Sequence, residues 1–403
     1  MIFLNLVLVT LQLLGLSNAV KFDFINDFLN FNHFYKNTFY EAVTQEETAV
    51  VQLNENWRFP SIKIFATGGT IASSGDSSTS NAGYSVNLTI NDLVDNIPEL
   101  SNLATVAFQQ IYNVGSNEIT SLHTLKLRNE ILSSLKSGEY HGIVVTHGTD
   151  TLEETAFFLE LTLDVKEPIC LTGSMRPRTS ISYDGLMNLY TSVLVASHES
   201  AVNRGVLVSL NDRIISGIYA TKSNSNSLDT FKNDEQGTLG MFVDNQINWF
   251  ISQPFKHRIA GLFAGSRRLL EIEHSFEMPE VLILFGYQSL NVELIELAVN
   301  HLNVKGIVLA GTGSGSWTDH GNMVLKRLSD TLGLPVIYST RNANGIVPVG
   351  NLPNGKYKFQ GAIAGGYLNP QKARILLQLC LIEGYSHERI SEIFKLVYGG
   401  SRF

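Results

Sequence analysis

From Trp57 onward, short apolar runs alternate with stretches long enough for a helix, and this alternation limits the fold more than any other feature. Runs occur at 61–66, at 141–146 ("HGIVVT"), at 168–172 and at 205–210 ("GVLVSL"). They are nearly continuous rather than polar at every second residue, so both faces of such strands need cover. Helix-length segments between them supply that cover, which predicts an α/β domain on a mostly parallel sheet over 57–250. The stretch 251–277 ("ISQPFKHRIAGLFAGSRRLLEIEHSFE") breaks the rhythm and reads as a linker. The rhythm resumes with "VLILFG", "GIVLAG" and "LPVIYS", so 278–403 reads as a second, smaller α/β domain. With 403 residues the chain can build two sizeable cores.

Residues 1–19 ("MIFLNLVLVTLQLLGLSNA") are apolar and end in Ser17-Asn18-Ala19, small residues where a signal peptide is cut. The run is shorter than the roughly 20 residues that a membrane span needs. The expectation is therefore an exported, soluble protein: secreted, periplasmic or cell wall-associated. Residues 20–56 form an aromatic-rich extension in which Phe24, Phe28, Phe31 and Tyr35 sit at helical spacing. Net charge is −8 and no Lys/Arg block occurs, which argues against nucleic acid or an anionic membrane as partner. Cys170 and Cys380 are the only cysteines, and both fall in apolar surroundings, as expected of small core residues rather than a disulfide or metal pair. One glycosylation sequon occurs, Asn87-Leu88-Thr89.

Open α/β sheets bind ligands beyond the carboxyl ends of their strands. Two polar clusters stand at such ends. "ATGGTIASSGD" (66–76) gives a glycine pair bracketed by Thr67 and Thr70, then a Ser/Gly-rich flexible stretch. "THGTDTLEETAFFLEL" (146–161) presents His147, Gly148, Thr149 and Asp150 before a helix starting near Leu152. Leu152, Ala156, Leu159 and Leu163 form the apolar stripe of that helix, and Thr151 with Glu154 fits a capping box. Thr149 and Asp150 thus stand at a helix N-terminus, where backbone N–H groups favour developing negative charge. A threonine hydroxyl attacks only when a base takes its proton. His147 and Lys222 (in "YATKSNSNS") are the two candidate bases, and Asp150 would orient the lysine. A lone histidine in a tight loop is more often structural. No metal-ligand spacing occurs, so neither metal nor organic cofactor is expected.

"ATGGTIA" (66–72) and "THGTDTLEETA" (146–156) together resemble the two signature segments of the bacterial-type L-asparaginase (asparaginase–glutaminase) family. Further likeness runs through "NVGSNEIT" (113–120), "GSMRPRTSISYDG" (173–185), "VNRGVLV" (202–208), "ATKSNS" (220–225) and "YLNPQKARILLQL" (367–379). It spans about residues 60 to 400, and the leader makes it similar to the exported branch. The resemblance implies two α/β domains, the smaller C-terminal one flavodoxin- or Rossmann-like. It implies hydrolysis of L-asparagine, with glutamine a minor substrate, by a homotetramer of intimate dimers. By position it implies Thr70 as nucleophile on a flexible flap, with Tyr84 activating or positioning it. Thr149, Asp150 and Lys222 then form a second hydroxyl group with its carboxylate and base. Gly69, Ser116, Asn117 and Ser174 line the substrate, and Ser289 reaches the site of a neighbouring subunit. This chain departs from the pattern in three ways, one being that the family's disulfide has no counterpart here. The segment from Asp76 to Tyr84 is one residue longer, and 341–360 ("RNANGIVPVGNLPNGKYKFQ") lacks the acidic residue that a neighbour usually contributes.

Rival readings are an amidase with equal or better glutaminase activity, a silent binding protein on the same fold, and a dinucleotide-binding module. The last rests on Gly311, Gly313 and Gly315 in "GIVLAGTGSGSW", which lack the G-x-G-x-x-G spacing and the ribose-binding acid.

Overall fold

The computed structural model describes residues 48–50, 59–232, 236–254, 256–270 and 278–397. The expected leader at 1–19 and the aromatic helix around Phe24–Tyr35 lie outside the described residues.

Among the described residues the larger sheet has nine strands. In chain order they are β1 (Thr48–Val50), β2 (Ser61–Gly68), β3 (Thr105–Val114), β4 (Gly142–Thr146), β5 (Ile169–Thr172), β6 (Val206–Leu210), β7 (Arg213–Ser216), β8 (Gly240–Val243) and β9 (Gln246–Trp249). Across the sheet they run β1-β3-β2-β4-β5-β6-β7-β8-β9. The block from β3 to β6 is parallel, whereas β1 at one edge and β7, β8 and β9 at the other are antiparallel. The continuous apolar runs are explained by cover on both faces. Phe65, Ile143 and Val145 face a core built with α1 (Ser121–Lys136) and α2 (Leu152–Thr162). Ile62, Ile64 and Val144 face the opposite core, built with α3 (Gly185–Ser197). Each such side chain taken wholly from water contributes about 1.5–3 kcal/mol.

The smaller sheet holds β10 (Val281–Phe285), β11 (Gly306–Gly311), β12 (Val336–Thr340) and β13 (Ala362–Ala364), all parallel and in sequence order. On one face, α4 (Glu293–His301) and α5 (Asp319–Leu332) close a core of their own. On the other lie α6 (Pro370–Ile382) and α7 (His387–Leu396), whose apolar residues join the core of the larger sheet. Leu376 and Leu379 therefore pack in the same cluster as Phe157 and Leu159.

Cys170 and Cys380 are free and buried in separate cores, as expected of small hydrophobes. Two local expectations fail. Helix α2 is buried on nearly every side, not along one stripe, because α1, α6 and the sheet enclose it. The Thr151–Glu154 capping box does not form. The Thr151 hydroxyl donates instead to the carbonyl of Ser116 at 2.8 Å, a partner from another loop that a local motif cannot reveal.

Candidate active site

The two polar clusters meet because β2 and β4 are neighbours, with Ala66 paired to Thr146. Beyond those ends the loops touch through glycine. Gly68 and Gly69 have φ of 95° and 83°, a region costly for any other residue. A Cβ on Gly69 would lie 2.2 Å from the Gly148 Cα, and one on Gly68 would lie 2.5 Å from the Val114 nitrogen. The residue after each touching glycine carries a hydroxyl: Thr70 on one loop, Thr149 on the other.

Thr70 opens a single 3-10 turn, Thr70–Ala72, which the Ser73 hydroxyl steadies by donating to the Gly69 carbonyl at 2.9 Å. The chain then forms a small antiparallel hairpin, Ser73–Ser74 against Ser85–Val86, with the Ser/Gly-rich stretch as its tip. The hairpin returns Tyr84 to the turn, and its hydroxyl lies 3.3 Å from Thr70 Oγ1. The longer Asp76–Tyr84 segment thus still delivers the tyrosine to the threonine.

Thr149 is buried, and its hydroxyl accepts from Lys222 Nζ at 2.9 Å. The same Nζ meets Asp150 Oδ1 at 2.5 Å. The Lys222 side chain is 15% exposed and that of Asp150 67%, so the pair opens toward solvent on the carboxylate side. Lys222 is held in a two-residue strand, Thr221–Lys222, paired with Phe231–Lys232.

His147 is placed otherwise than a base. It is fully buried, with Nδ1 2.7 Å from the Gly148 carbonyl and Nε2 2.9 Å from Thr155 Oγ1. A carbonyl only accepts, so Nδ1 carries the proton and Nε2 accepts from Thr155. Burial lowers its pKa to about 4, despite the carbonyl bond. The ring is neutral, its lone pair is engaged, and it fixes the Gly148 peptide.

Ser116 is buried beside this loop. Its hydroxyl accepts from the Asp150 N–H at 3.1 Å, and a Cβ on Gly148 would meet Ser116 Oγ at 2.7 Å. Asn117 is exposed and donates to Glu118 Oε1 at 2.9 Å. Ser174 is fully buried, and its hydroxyl donates to the Arg176 carbonyl at 2.7 Å. The neighbouring Gly173 packs against Thr149, a Cβ there falling 3.3 Å from Thr149 Cγ2. Ser289 lies apart, exposed in the loop after β10, with φ of 60°.

Sequence reasoning assigned no role to most of 175–184, which braces the flap. The Arg178 N–H donates to the Ser73 carbonyl (2.8 Å), the Ile181 N–H to Ser78 (3.0 Å), and the Gly75 N–H to Thr179 Oγ1 (3.0 Å). The Tyr183 hydroxyl donates at 2.9 Å to the carbonyl of Ile71, next to Thr70. The Asp184 carboxylate ties the bracing segment to itself by accepting from the N–H groups of Met175 and Arg176. Beyond the family likeness of "GSMRPRTSISYDG" (173–185), the sequence signal there is a polar, Pro-containing run directly after an apolar strand.

Comparison with known proteins decides the ancestry. The model described as "Asparaginase, N-terminal" matches residues 61–255, and "Glutaminase/Asparaginase C-terminal domain" matches 280–394. The chain belongs to the asparaginase family. It is 49% identical over 350 residues to L-asparaginase 2-3 of Saccharomyces cerevisiae, covering 87% of this chain and 94% of that one. It is 36% identical over 343 residues to a probable periplasmic L-asparaginase of Haemophilus influenzae, covering 83% and 93%. Among solved structures it is similar to a probable cytoplasmic L-asparaginase from Campylobacter jejuni. There the TM-score is 0.75 and the identity 34%, over 83% of this chain and 99% of that one. The two family models take in both sheets described above except β1. No helix among the described residues is long and apolar enough to cross a membrane.

Proposed function

We propose that this asparaginase hydrolyses the side-chain amide of L-asparagine to L-aspartate and ammonia through an acyl-enzyme on Thr70. The observation that carries the reading is the pair of abutting glycine loops. They set Thr70 with Tyr84 on one side, and Thr149 with Lys222 and Asp150 on the other. Thr70 Oγ1 bonds to the amide carbon, and its proton leaves by way of the Tyr84 hydroxyl. Collapse of the tetrahedral species breaks the C–N bond, and the nitrogen departs with that proton as ammonia. Water then attacks the ester, giving the carboxylate and restoring Thr70. A backbone N–H beside Thr149 other than that of Asp150, which donates to Ser116, would hold the developing oxyanion, an interaction worth about 3–4 kcal/mol when removed. Thr149, Asp150 and Lys222 form the rigid half of the site, Gly69, Ser116, Asn117 and Ser174 its substrate-binding margin.

Thr70→Ala and Thr149→Ala are each expected to lower turnover of asparagine by several orders of magnitude, read as ammonia release without added cofactor. Trapping the intermediate and locating it by mass spectrometry tests the assignment; an acyl group on Thr149 would reverse the two roles.

Asparagine and glutamine differ by one methylene, which a pocket discriminates by only about 1–3 kcal/mol. Asn117 is one carbon shorter than the glutamine common at that place in the family, and 341–360 has no acidic residue. Both features loosen the grip on the α-amino group, and we infer asparagine as preferred substrate with glutamine minor. Asn117→Gln should change the ratio of kcat/KM for the two amides; equal tightening of both would assign Asn117 to affinity alone. A homotetramer of intimate dimers follows from the same family reading, with Ser289 reaching a neighbour's site, and a fully active monomer in sedimentation would end it. Export rests on residues 1–19 alone, since one relative is named periplasmic and another cytoplasmic. Sequencing the mature N-terminus decides it.

A further inference from the structure

Helix α6 of the smaller sheet sends a charged side chain deep among residues of the larger one. Lys372, in its first turn, is 2% exposed. Its Nζ donates to the carbonyls of Ile218 at 2.8 Å and Ala220 at 2.6 Å. Those carbonyls lie on the turn that leads from β7 into the strand Thr221–Lys222, so the second is two residues from Lys222. On the other side stand Glu153 and Glu154, in the first turn of α2 and so directly behind Thr149 and Asp150. Gln371, adjacent to Lys372, donates to Glu153 Oε1 at 2.7 Å. The Phe157 ring of α2 lies 5.9 Å from the Lys372 ammonium. Residues 371 and 372 therefore bind together the two segments that must meet for Lys222 to touch Thr149.

Burying an ammonium costs several kcal/mol, and a well-packed apolar side chain in its place is often neutral or better for stability. Packing alone therefore gives no reason for a lysine here. Burial pulls its pKa down to about 8, against Glu153 and Glu154. An amine that lost its proton would still keep two N–H groups for the two carbonyls.

We propose that Lys372 is a positioning residue for Lys222, fixing the 218–222 turn against the start of α2 so that Nζ meets Thr149 Oγ1 and Asp150 Oδ1 together. The inference rests on the asparaginase reading, and it adds a role for the smaller sheet inside the same subunit's site. A misplacement of about 1 Å in a catalytic group can cost about 100-fold in rate. Lys372→Met is accordingly expected to lower kcat for asparagine by about 10- to 100-fold with KM within about threefold. Lys372→Arg, which keeps the donors, should recover most of that loss. Leu376→Val, a cavity on the same helix away from the turn, should lower the melting temperature and leave kcat unchanged. A crystal structure of Lys372→Met should show Lys222 Nζ withdrawn from Thr149, a readout that stands even if the wild-type protein proves inactive on asparagine. Should Lys372→Met not fold, Lys372→Gln carries the same expectations. The proposal is overturned if kcat stays within about twofold of wild type, if Leu376→Val lowers kcat equally, or if Lys222 keeps its contacts in the variant.

Discussion

Gly69 is the residue whose replacement this site tolerates least. Its backbone (φ 83°, ψ −173°) lies in a region that essentially only glycine occupies, and the atoms that a Cβ would strike are the Gly148 Cα at 2.2 Å and the Gly148 nitrogen at 2.3 Å. Neither is the end of a flexible side chain, so both loops would have to move apart. That backbone strain alone costs about 1–3 kcal/mol, and overpacking adds about 1–3 kcal/mol. Gly69→Ala should therefore destabilise the fold by at least about 2 kcal/mol in urea unfolding and remove most activity, because Thr70 and Thr149 lose their common frame. Gly75, on the flap, is the control: a Cβ there meets Tyr84 Cβ at 3.4 Å, an ordinary contact. Gly75→Ala should leave stability within about 0.5 kcal/mol of wild type. Equal tolerance at both positions would mean that the glycine contact does not shape the site.

At the scale of elements, the flap hairpin has little core of its own and depends on 175–184. The Tyr183 hydroxyl reaches the carbonyl next to Thr70, so Tyr183→Phe removes one bond worth about 0.5–1.5 kcal/mol. That loss should appear mainly as faster proteolysis within the flap and a lower kcat, with the melting temperature little changed. An unaltered flap in proteolysis would count against the bracing role. Such long-range bonds explain which parts of the protein were legible in its sequence. Most of the parallel strands could be read, since their apolar runs are continuous. Strand β3 could not: "TVAFQQIYNV" is interrupted by Gln109, Gln110 and Asn113. Both glutamines are nevertheless buried, and the Gln110 amide accepts from the Ile90 N–H at 3.0 Å and donates to the Tyr112 carbonyl at 2.7 Å. A polar side chain satisfied inside a sheet looks like a loop residue in one dimension. The site divides in the same way. Motifs and likeness marked Thr70, Thr149, Asp150 and Lys222, whereas spacing alone left His147 and Lys222 as rival bases. What separated them was burial and partners, because Lys222 meets Thr149 across 73 positions of sequence while His147 spends both ring nitrogens locally.

For the whole molecule, the acid–base balance of the buried groups predicts how stability responds to pH. Glu160 on α2 is 3% exposed, and burial raises its carboxyl to about 7, although the Val206 N–H and Lys256 pull it down. The sign follows from proton counting. Between 4.5 and 7 the unfolded chain has released the proton that the folded chain still holds, so stability falls as pH rises through this window. The cost is absent below the unfolded pKa and complete above the folded one, at about 3 kcal/mol for a shift of this size. His147 and His257 act oppositely. Burial lowers each to about 4, so each costs stability as pH falls from 6.5 toward 4. The two effects overlap between about 4.5 and 6.5, and wild-type stability alone cannot resolve them. Glu160→Gln isolates one. Its amide oxygen can still accept from Val206, while the freed NH2 faces the close-packed Gly205, giving a penalty independent of pH. The difference in unfolding free energy between variant and wild type should thus be flat below pH 4. It should then move in favour of the variant by up to about 3 kcal/mol by pH 8. Urea unfolding at half-unit pH steps measures it. A difference that stays flat from pH 4 to 8 would show that Glu160 keeps its ordinary carboxylate pKa in the folded protein, the Val206 N–H and Lys256 offsetting its burial.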